Sequence, residues 1–324
     1  MNGLWSELGR KLAERWLSVL VLPGVLYLAV GAAAHTLGQR HALDAARLVR
    51  EVTATADRPA VTGVGGQVVL VGAVVLASAA AGTVAEAAGT LVERLALAAG
   101  WRLWPAPLSA LADRSVRRRQ RRWEAQHRIF HRKFARAQAP GPDDRPDPAA
   151  RHRAARRRER IASERPERPT WSGDRIQAAA LRLDRDHLLD LAVVWPHLEP
   201  LLPEPLGARV TEARAALERA TVLAGWALLY APLAVWWWPA APLALVLAAA
   251  ARHRVRACVD TYARLLEAAT RLHAPALAAQ LGLDHTGPLT KDLGVRLTHH
   301  LRASPPPRPA EPRQPHVPDA RSDA

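Results

Sequence analysis

Three stretches of this chain carry no Asp, Glu, Lys or Arg, and they constrain its fold more than any other feature. They run from Trp16 to Gln39 (24 residues), from Pro59 to Ala85 (27) and from Ala220 to Ala251 (32). A helix needs about 20 apolar residues to cross the hydrocarbon core of a bilayer. Each stretch exceeds that length, and the core helix of a soluble protein seldom does. The expectation is an all-α helical membrane protein rather than a soluble helical bundle. The lone cysteine, Cys258, excludes a disulfide framework and any Cys-based metal site.

The first stretch is read as a span over 16–37, behind a cytoplasmic segment 1–15. That segment mixes Glu7 and Glu14 with Arg10, Lys11 and Arg15, unlike the positive start of a signal peptide. Ala32, Ala33 and Ala34 nonetheless resemble a cleavage site. The second stretch is read as a span over 64–86. Its small residues Gly72, Ala73, Ala77, Ala81 and Gly82 recur at helical spacing and would let backbones approach closely, although alanine-rich composition alone explains them equally well. Glu86 closes it as a carboxylate near the boundary.

The third stretch is too long for one comfortable span. Its 32 residues would extend about 48 Å as a helix, against a core of about 30 Å. Pro232, Pro239 and Pro242 interrupt it. Trp236-Trp237-Trp238-Pro239 reads as an aromatic belt followed by a turn. The reading is a hairpin with spans over 220–238 and 241–256, the second short enough that Arg252 and Arg254 must snorkel or the bilayer thin. A single kinked span is the alternative. Trp16, Trp236, Trp237, Trp238, Arg252 and Arg254 are the expected membrane-interface residues.

Positive charge flanking spans sets their orientation. Basic clusters precede the first stretch and follow the second and third. All three clusters face the cytoplasm only if the third stretch crosses twice. That predicts four transmembrane helices in two hairpins, both termini cytoplasmic, in the cell membrane. Segment 38–63 would be an external loop, although its Arg40, Arg47, Arg50 and Arg58 obey the rule imperfectly.

Between Arg114 and Arg168 there are 19 Lys+Arg and 7 Asp+Glu, a net of +12 out of +15 for the whole chain. Juxtamembrane and basic amphipathic helices are expected over 87–138. Val116, Trp123, Phe130 and Phe134 fall on one face there, with arginines around the rest. Such a helix beside a span reads as a surface helix on anionic lipid, or as a solvated connector. The candidate lipid or partner contacts are Arg117, Arg118, Arg119, Arg121, Arg122, Trp123, Phe130 and Phe134. Arginine runs also neutralise nucleic-acid phosphates, but no nucleic-acid motif accompanies them. An Arg/Pro-rich linker over 139–170 and a Pro-rich tail over 304–324 are expected to be disordered.

Cytoplasmic helices are expected over 171–219 and 257–303. Leu181, Leu188, Leu191 and Trp195 would share one face of a helix that Pro196 stops. The face bearing Val255, Val259, Tyr262, Leu266, Ala269 and Leu272 would pack against that helix, forming a small helical layer. Asp184, Asp186, His187 and Asp190 have spacings compatible with a metal, but known helical metal motifs need a partner motif elsewhere, so the polar face of an amphipathic helix is the simpler reading. His299 and His300 are the weak candidate partners. Cys258 lacks a base other than His253, its neighbour in sequence. No nucleophile elbow, P-loop, dinucleotide fingerprint or zinc-protease motif occurs. No catalytic, cofactor or metal residue is assigned.

The stretches LPGVLYLA (22–29), ALRLDRDHLLDLAVVWPHLEPLLPE (180–204), GWALLYAPLAVWWWPA (225–240) and DTYARLLEAATRLHAPALAAQLGL with GPLT (260–290) together resemble an uncharacterised family of actinomycete multi-spanning membrane proteins. The resemblance implies the architecture and no activity. The expected function is a non-enzymatic membrane anchor or scaffold whose basic region engages anionic lipid headgroups, a protein partner or a second copy. A pore or transporter is one alternative, for which Gln67, Ser78, Thr83 and Glu86 are the few polar span residues. A membrane-tethered enzyme using Asp186, His187 and Asp190 is another.

Overall fold

The computed structural model describes residues 22–56, 63–138 and 148–302. The expected interface residue Trp16, residues 16–21 of the first span and the tail 304–324 lie outside them. The described residues form helices and no strand. Ten are α-helices: α1 (Leu22–Leu37), α2 (Ala45–Ala56), α3 (Val64–Leu97), α4 (Ala106–Gln138), α5 (Pro148–Glu159), α6 (Trp171–His187), α7 (Leu191–Leu198), α8 (Glu204–Tyr230), α9 (Ala240–Gln280) and α10 (Lys291–Leu301).

The third charge-free stretch turns back on itself. Helix α8 gives way to a 3₁₀ turn over Ala231–Val235, and α9 starts at Ala240 with Pro239 as its N-cap. Proline is tolerated there because the first turn of a helix leaves its N–H groups unbonded. Helices α8 and α9 pack on each other more extensively than any other pair, and α8 packs next on α3. The chain therefore reverses as the hairpin reading expects. The regular helix ends at Tyr230 rather than Trp238, and the segment expected as a short span is the start of a 41-residue helix.

Close backbone contact sets the α3–α8 crossing. A Cβ added at Gly89 of α3 would lie 2.8 Å from Val222 Cα, and one at Gly225 of α8 would strike the Ala85 carbonyl oxygen. At Gly24 of α1 an added Cβ would strike Ser78 of α3. The buried stripe of α3 is thus Ser78, Gly82, Ala85 and Gly89. The expected small-residue stripe coincides with it in part: Gly82 is buried and Ala81 half-buried, whereas Gly72, Ala73 and Ala77 are exposed. Around the crossing, Tyr27, Trp226 and Tyr230 pack ring on ring, the Tyr27 and Tyr230 centroids 5.3 Å apart.

At the far end of this four-helix group, Gln39 Nε2 donates to the Ala234 and Val235 carbonyls at 3.0 and 2.8 Å. Trp238 N donates to Gln39 Oε1 at 3.1 Å, and Trp237 Nε1 donates to the Ala42 carbonyl at 2.9 Å. The segment after α1 and the α8–α9 turn therefore meet at one end. Segment 38–63 was expected as a loop. Over 45–56 it is helix α2, which is strongly amphipathic and buries none of its residues.

The opposite end is a layer of helices. Arg175 of α6 binds Asp260 of α9 at 2.6 Å, and Arg182 binds Glu267 at 2.9 Å. The expected packing of the α9 extension on this region holds, although Leu272 is exposed and lies off the packed face. The single helix expected up to Pro196 is two. Helix α6 ends at Leu188 in the left-handed region (φ 52°), and Asp190 caps α7 by accepting from Ala192 N. Capping by a short carboxylate outweighs the continuous leucine spacing. Pro196 sits inside α7 instead of ending a helix. Leu189, Val194, Leu198, Leu277, Leu293 and Leu297 form the core of the layer.

One helix among the described residues, Gly65–Leu97 within α3, is long and apolar enough to cross a membrane, and α1 is a shorter apolar helix. The outer surface is divided accordingly. Val68, Val69, Leu70, Val71, Val75 and Leu76 of α3 are exposed, as are Leu22 and Leu26 of α1 and Leu245 and Val246 of α9. The described ion pairs lie toward the other end, none involving residues 22–92 or 220–259.

Candidate functional site

Helix α4 is the basic helix that the sequence points to. It is separated from α3 by Ala98 in the left-handed region (φ 44°) and a 3₁₀ turn at Trp101–Leu103. Its two faces do different things. Ala112, Val116 and Trp123 are buried. Arg114, Arg117, Arg118, Arg121 and Arg122 line one open recess of about 520 Å³ on the outer face. Arg117 pairs with Asp113 one turn away.

The inner face is a polar seam. Ser115 Oγ donates to the Pro169 carbonyl at 2.9 Å, Gln120 Nε2 to the Pro166 carbonyl at 2.8 Å, and Trp123 Nε1 to the Ala162 carbonyl at 3.1 Å. Arg119 donates to the carbonyls of Ile161 and Arg168 at 2.7 and 3.0 Å and pairs with Asp174 at 2.8 Å. Residues 160–170 carry few apolar groups, and their backbone polar atoms are bound by α4 instead. The expected disordered linker is therefore helical over 148–159 and tied to α4 over 160–170, while 139–147 lies outside the described residues.

Asp174 anchors the seam. Its Oδ1 accepts from Glu167 N and Arg168 N at 2.9 and 2.8 Å. Burial pushes its carboxyl above the usual range, against the opposing pull of Arg119 and the two backbone donors. Burial likewise lowers Arg119 and Arg168 from the ordinary arginine value, and Asp174 opposes both shifts. Arg168 continues the seam to α3: it donates to the Leu97 carbonyl at 3.1 Å, and Thr170 Oγ1 donates to the Ala96 carbonyl. These are carbonyls that a helix end leaves unbonded.

Arg119 and Trp123 are thus withdrawn from the expected set of outward contacts, because their donors are consumed inside the fold. Arg117, Arg118, Arg121 and Arg122 remain exposed. Phe130 is half-buried under Arg158, whose guanidinium lies 4.8 Å from the ring centroid, and it stacks on the exposed Phe134. Trp236 and Trp238 are exposed at the α8–α9 turn, and Trp237 is half-buried.

Arg252 and Arg254 are exposed and diverge. Arg254 shares a recess with Glu86, Glu93 and Glu218, while Arg252 lies beside Arg256, Arg160 and Arg122 at a groove between α8 and α9. Of the polar span residues, Ser78 is buried against α1, Thr83 Oγ1 donates to the Ala80 carbonyl at 2.8 Å, and Gln67 is exposed.

Among the described residues, no group of three or more His, Cys, Asp or Glu could hold a metal ion. Asp186 pairs with Arg185 and Arg271, and Asp190 caps α7 and pairs with Arg302. Cys258 is free and half-buried. Arg160 and Trp171 are the positions that sequence reasoning missed at the groove. Only their place beside a basic run could have marked them. No family model, curated protein or solved structure matches the chain.

Proposed function

We propose that this protein is a non-enzymatic, multi-pass membrane anchor or scaffold of the cytoplasmic membrane. In this reading α1, α3 and the two arms of the α8–α9 hairpin are four spans. The helical layer lies on the inner side with both termini, and its basic surface engages anionic lipid headgroups or a protein partner, which includes a second copy. The carrying observation is the contrast between an apolar surface free of ion pairs on α1, the first part of α3 and the start of α9 and an ion-paired, arginine-rich helical layer. Residues 64–85 of α3 extend about 33 Å, enough for a core of about 30 Å. The bonds that join Gln39 and the Ala42 carbonyl to the α8–α9 turn support the topology, because four spans require those two segments on one side. Membership of the actinomycete family that the four motif stretches resemble is part of the same proposal.

Single-cysteine labelling in a Cys258→Ala background tests it. Thr55→Cys in α2 should react with a membrane-impermeant maleimide on intact cells, and Arg118→Cys in α4 only after lysis. Labelling of both from the same side, or release of the protein from membranes by alkaline carbonate, would rule the reading out.

A further inference from the structure

The groove between α8 and α9 has a volume of about 760 Å³, within the roughly 300–1,000 Å³ of small-molecule sites. Its floor is formed by Ala224 and Ala227 of α8, Ala231 at the start of the turn that follows, and Ala244, Ala248 and Ala251 of α9. These methyl groups leave the floor recessed between Leu228 and Leu245, which are 52% and 69% exposed. Arg122, Arg160, Arg252 and Arg256 stand at one end of it, and no carboxylate lines it among the described residues.

None of these four arginines has an ion-pair partner among the described residues, whereas Arg119 beside them is paired with Asp174. Arg256 is held in place: its guanidinium lies 4.6 Å from the Trp171 ring centroid and donates to the Arg160 carbonyl at 3.4 Å. Converging guanidiniums without carboxylates favour a phosphate, which accepts several charge-assisted hydrogen bonds at once. The distance from Arg252 back to Ala244 along α9 is about 12 Å, close to the roughly 15 Å depth of one leaflet of the hydrocarbon core.

We propose that this groove binds one anionic phospholipid, its phosphate among Arg122, Arg160, Arg252 and Arg256 and an acyl chain along the alanine floor. The inference rests on the membrane reading above. It differs from general attraction of a basic surface to anionic lipid, since it requires the chain and the headgroup together. Snorkelling is then not the sole role of Arg252: it is one wall of a headgroup site.

The test uses full-length protein in a neutral detergent, with bound lipid counted by native mass spectrometry and stability followed by thermal unfolding. Dioleoyl phosphatidylglycerol should bind one per chain and raise the unfolding temperature. Dioleoyl phosphatidylcholine, glycerol phosphate and inorganic phosphate should do neither. Arg252→Ala with Arg256→Ala should weaken phosphatidylglycerol binding at least about tenfold. Ala248→Phe, at an exposed position on the floor, should weaken it similarly while leaving every arginine in place.

Equal binding of phosphatidylcholine would overturn the proposal, as would undiminished binding by Ala248→Phe. Equal binding of glycerol phosphate or inorganic phosphate would assign the arginines to a soluble anion and overturn the lipid. Alkaline extraction scores the membrane reading separately. Protein retained in membranes but blind to phosphatidylglycerol sinks the groove alone, and protein released by alkali sinks the membrane reading whatever the groove binds.

Discussion

Gly225 of α8 lies directly against Ala85 of α3, with the Gly89 amide nitrogen 2.9 Å from where a Gly225 Cβ would be. Any side chain there meets backbone, which has no rotamer to change, so the helices must separate. Overpacking a core costs about 1–3 kcal/mol and occasionally more. Gly225→Val should sit at the top of that range or above. Gly72→Val, where nothing lies within 4 Å, should change the unfolding temperature little. Thermal unfolding of both variants in detergent decides it, and equal effects would mean that α3 and α8 do not cross at these residues.

Asp174→Ala should open the seam between α4 and residues 160–170. It strips two backbone N–H groups of their acceptor and leaves Arg119 buried without its carboxylate. Breaking a buried pair by removing one partner costs about 3–5 kcal/mol. Proteolysis between α5 and α6 should accelerate in this variant. Arg165→Ala, which removes an exposed pair with Glu124, should lose no more than about 1 kcal/mol and keep the wild-type cleavage pattern.

His127 stacks on Trp123 at 4.4 Å and meets His131 edge-on at 4.3 Å. Burial lowers its pKa from the ordinary histidine value, with further lowering from His131 and Arg158. A depressed folded-state value means that the unfolded chain binds the proton more readily. The His127 contribution is therefore complete above the ordinary histidine value and is lost as pH falls through the depressed one. Acidification below neutrality should destabilise the α4 seam, and His127→Phe should flatten that part of the stability–pH profile. An unchanged profile would remove His127 as the source.

Gln39→Ala should loosen the α8–α9 turn. It deletes three hydrogen bonds at an exposed site, where each nets about 0.5–1.5 kcal/mol at most. Amide exchange at Trp238 should accelerate while exchange in the α6–α9 interface stays as in the wild type.

Much of the helical plan was legible because it rests on long patterns. The reversal at Trp236–Pro239, the unbroken run from the turn into the layer, and the buried Val116 and Trp123 face of α4 all follow from charge gaps, proline and periodicity. What escaped depends on contacts that no local pattern carries. Residues 148–170 read as arginine-rich and solvent-seeking, yet 148–159 form a helix whose Arg158 covers Phe130, and carbonyls of 160–170 are bound by Arg119, Gln120 and Trp123. Of the expected small-residue stripe of α3, Ala81 and Gly82 meet the packed face while Gly72, Ala73 and Ala77 do not, because alanine and glycine occur on every side of that helix. Only the partner backbone of α8 selects Ala85 and Gly89. Leu188 kept the leucine spacing while Asp190 broke the helix.

Helix α9 runs without interruption from Ala240 to Gln280, about 60 Å end to end. It carries Ala244, Ala248 and Ala251 of the groove floor and Arg252 on its first turns, and Leu277 of the layer core on its last. Each residue of a helix advances the azimuth by about 100°, so α9 acts as a keyed shaft whose two ends have a fixed relative phase. One residue inserted after Ala257 would rotate Asp260 and Glu267 away from Arg175 and Arg182 while leaving the groove where it stands. Substitutions along the exposed side of α9 are therefore tolerable, whereas single insertions or deletions within it are not.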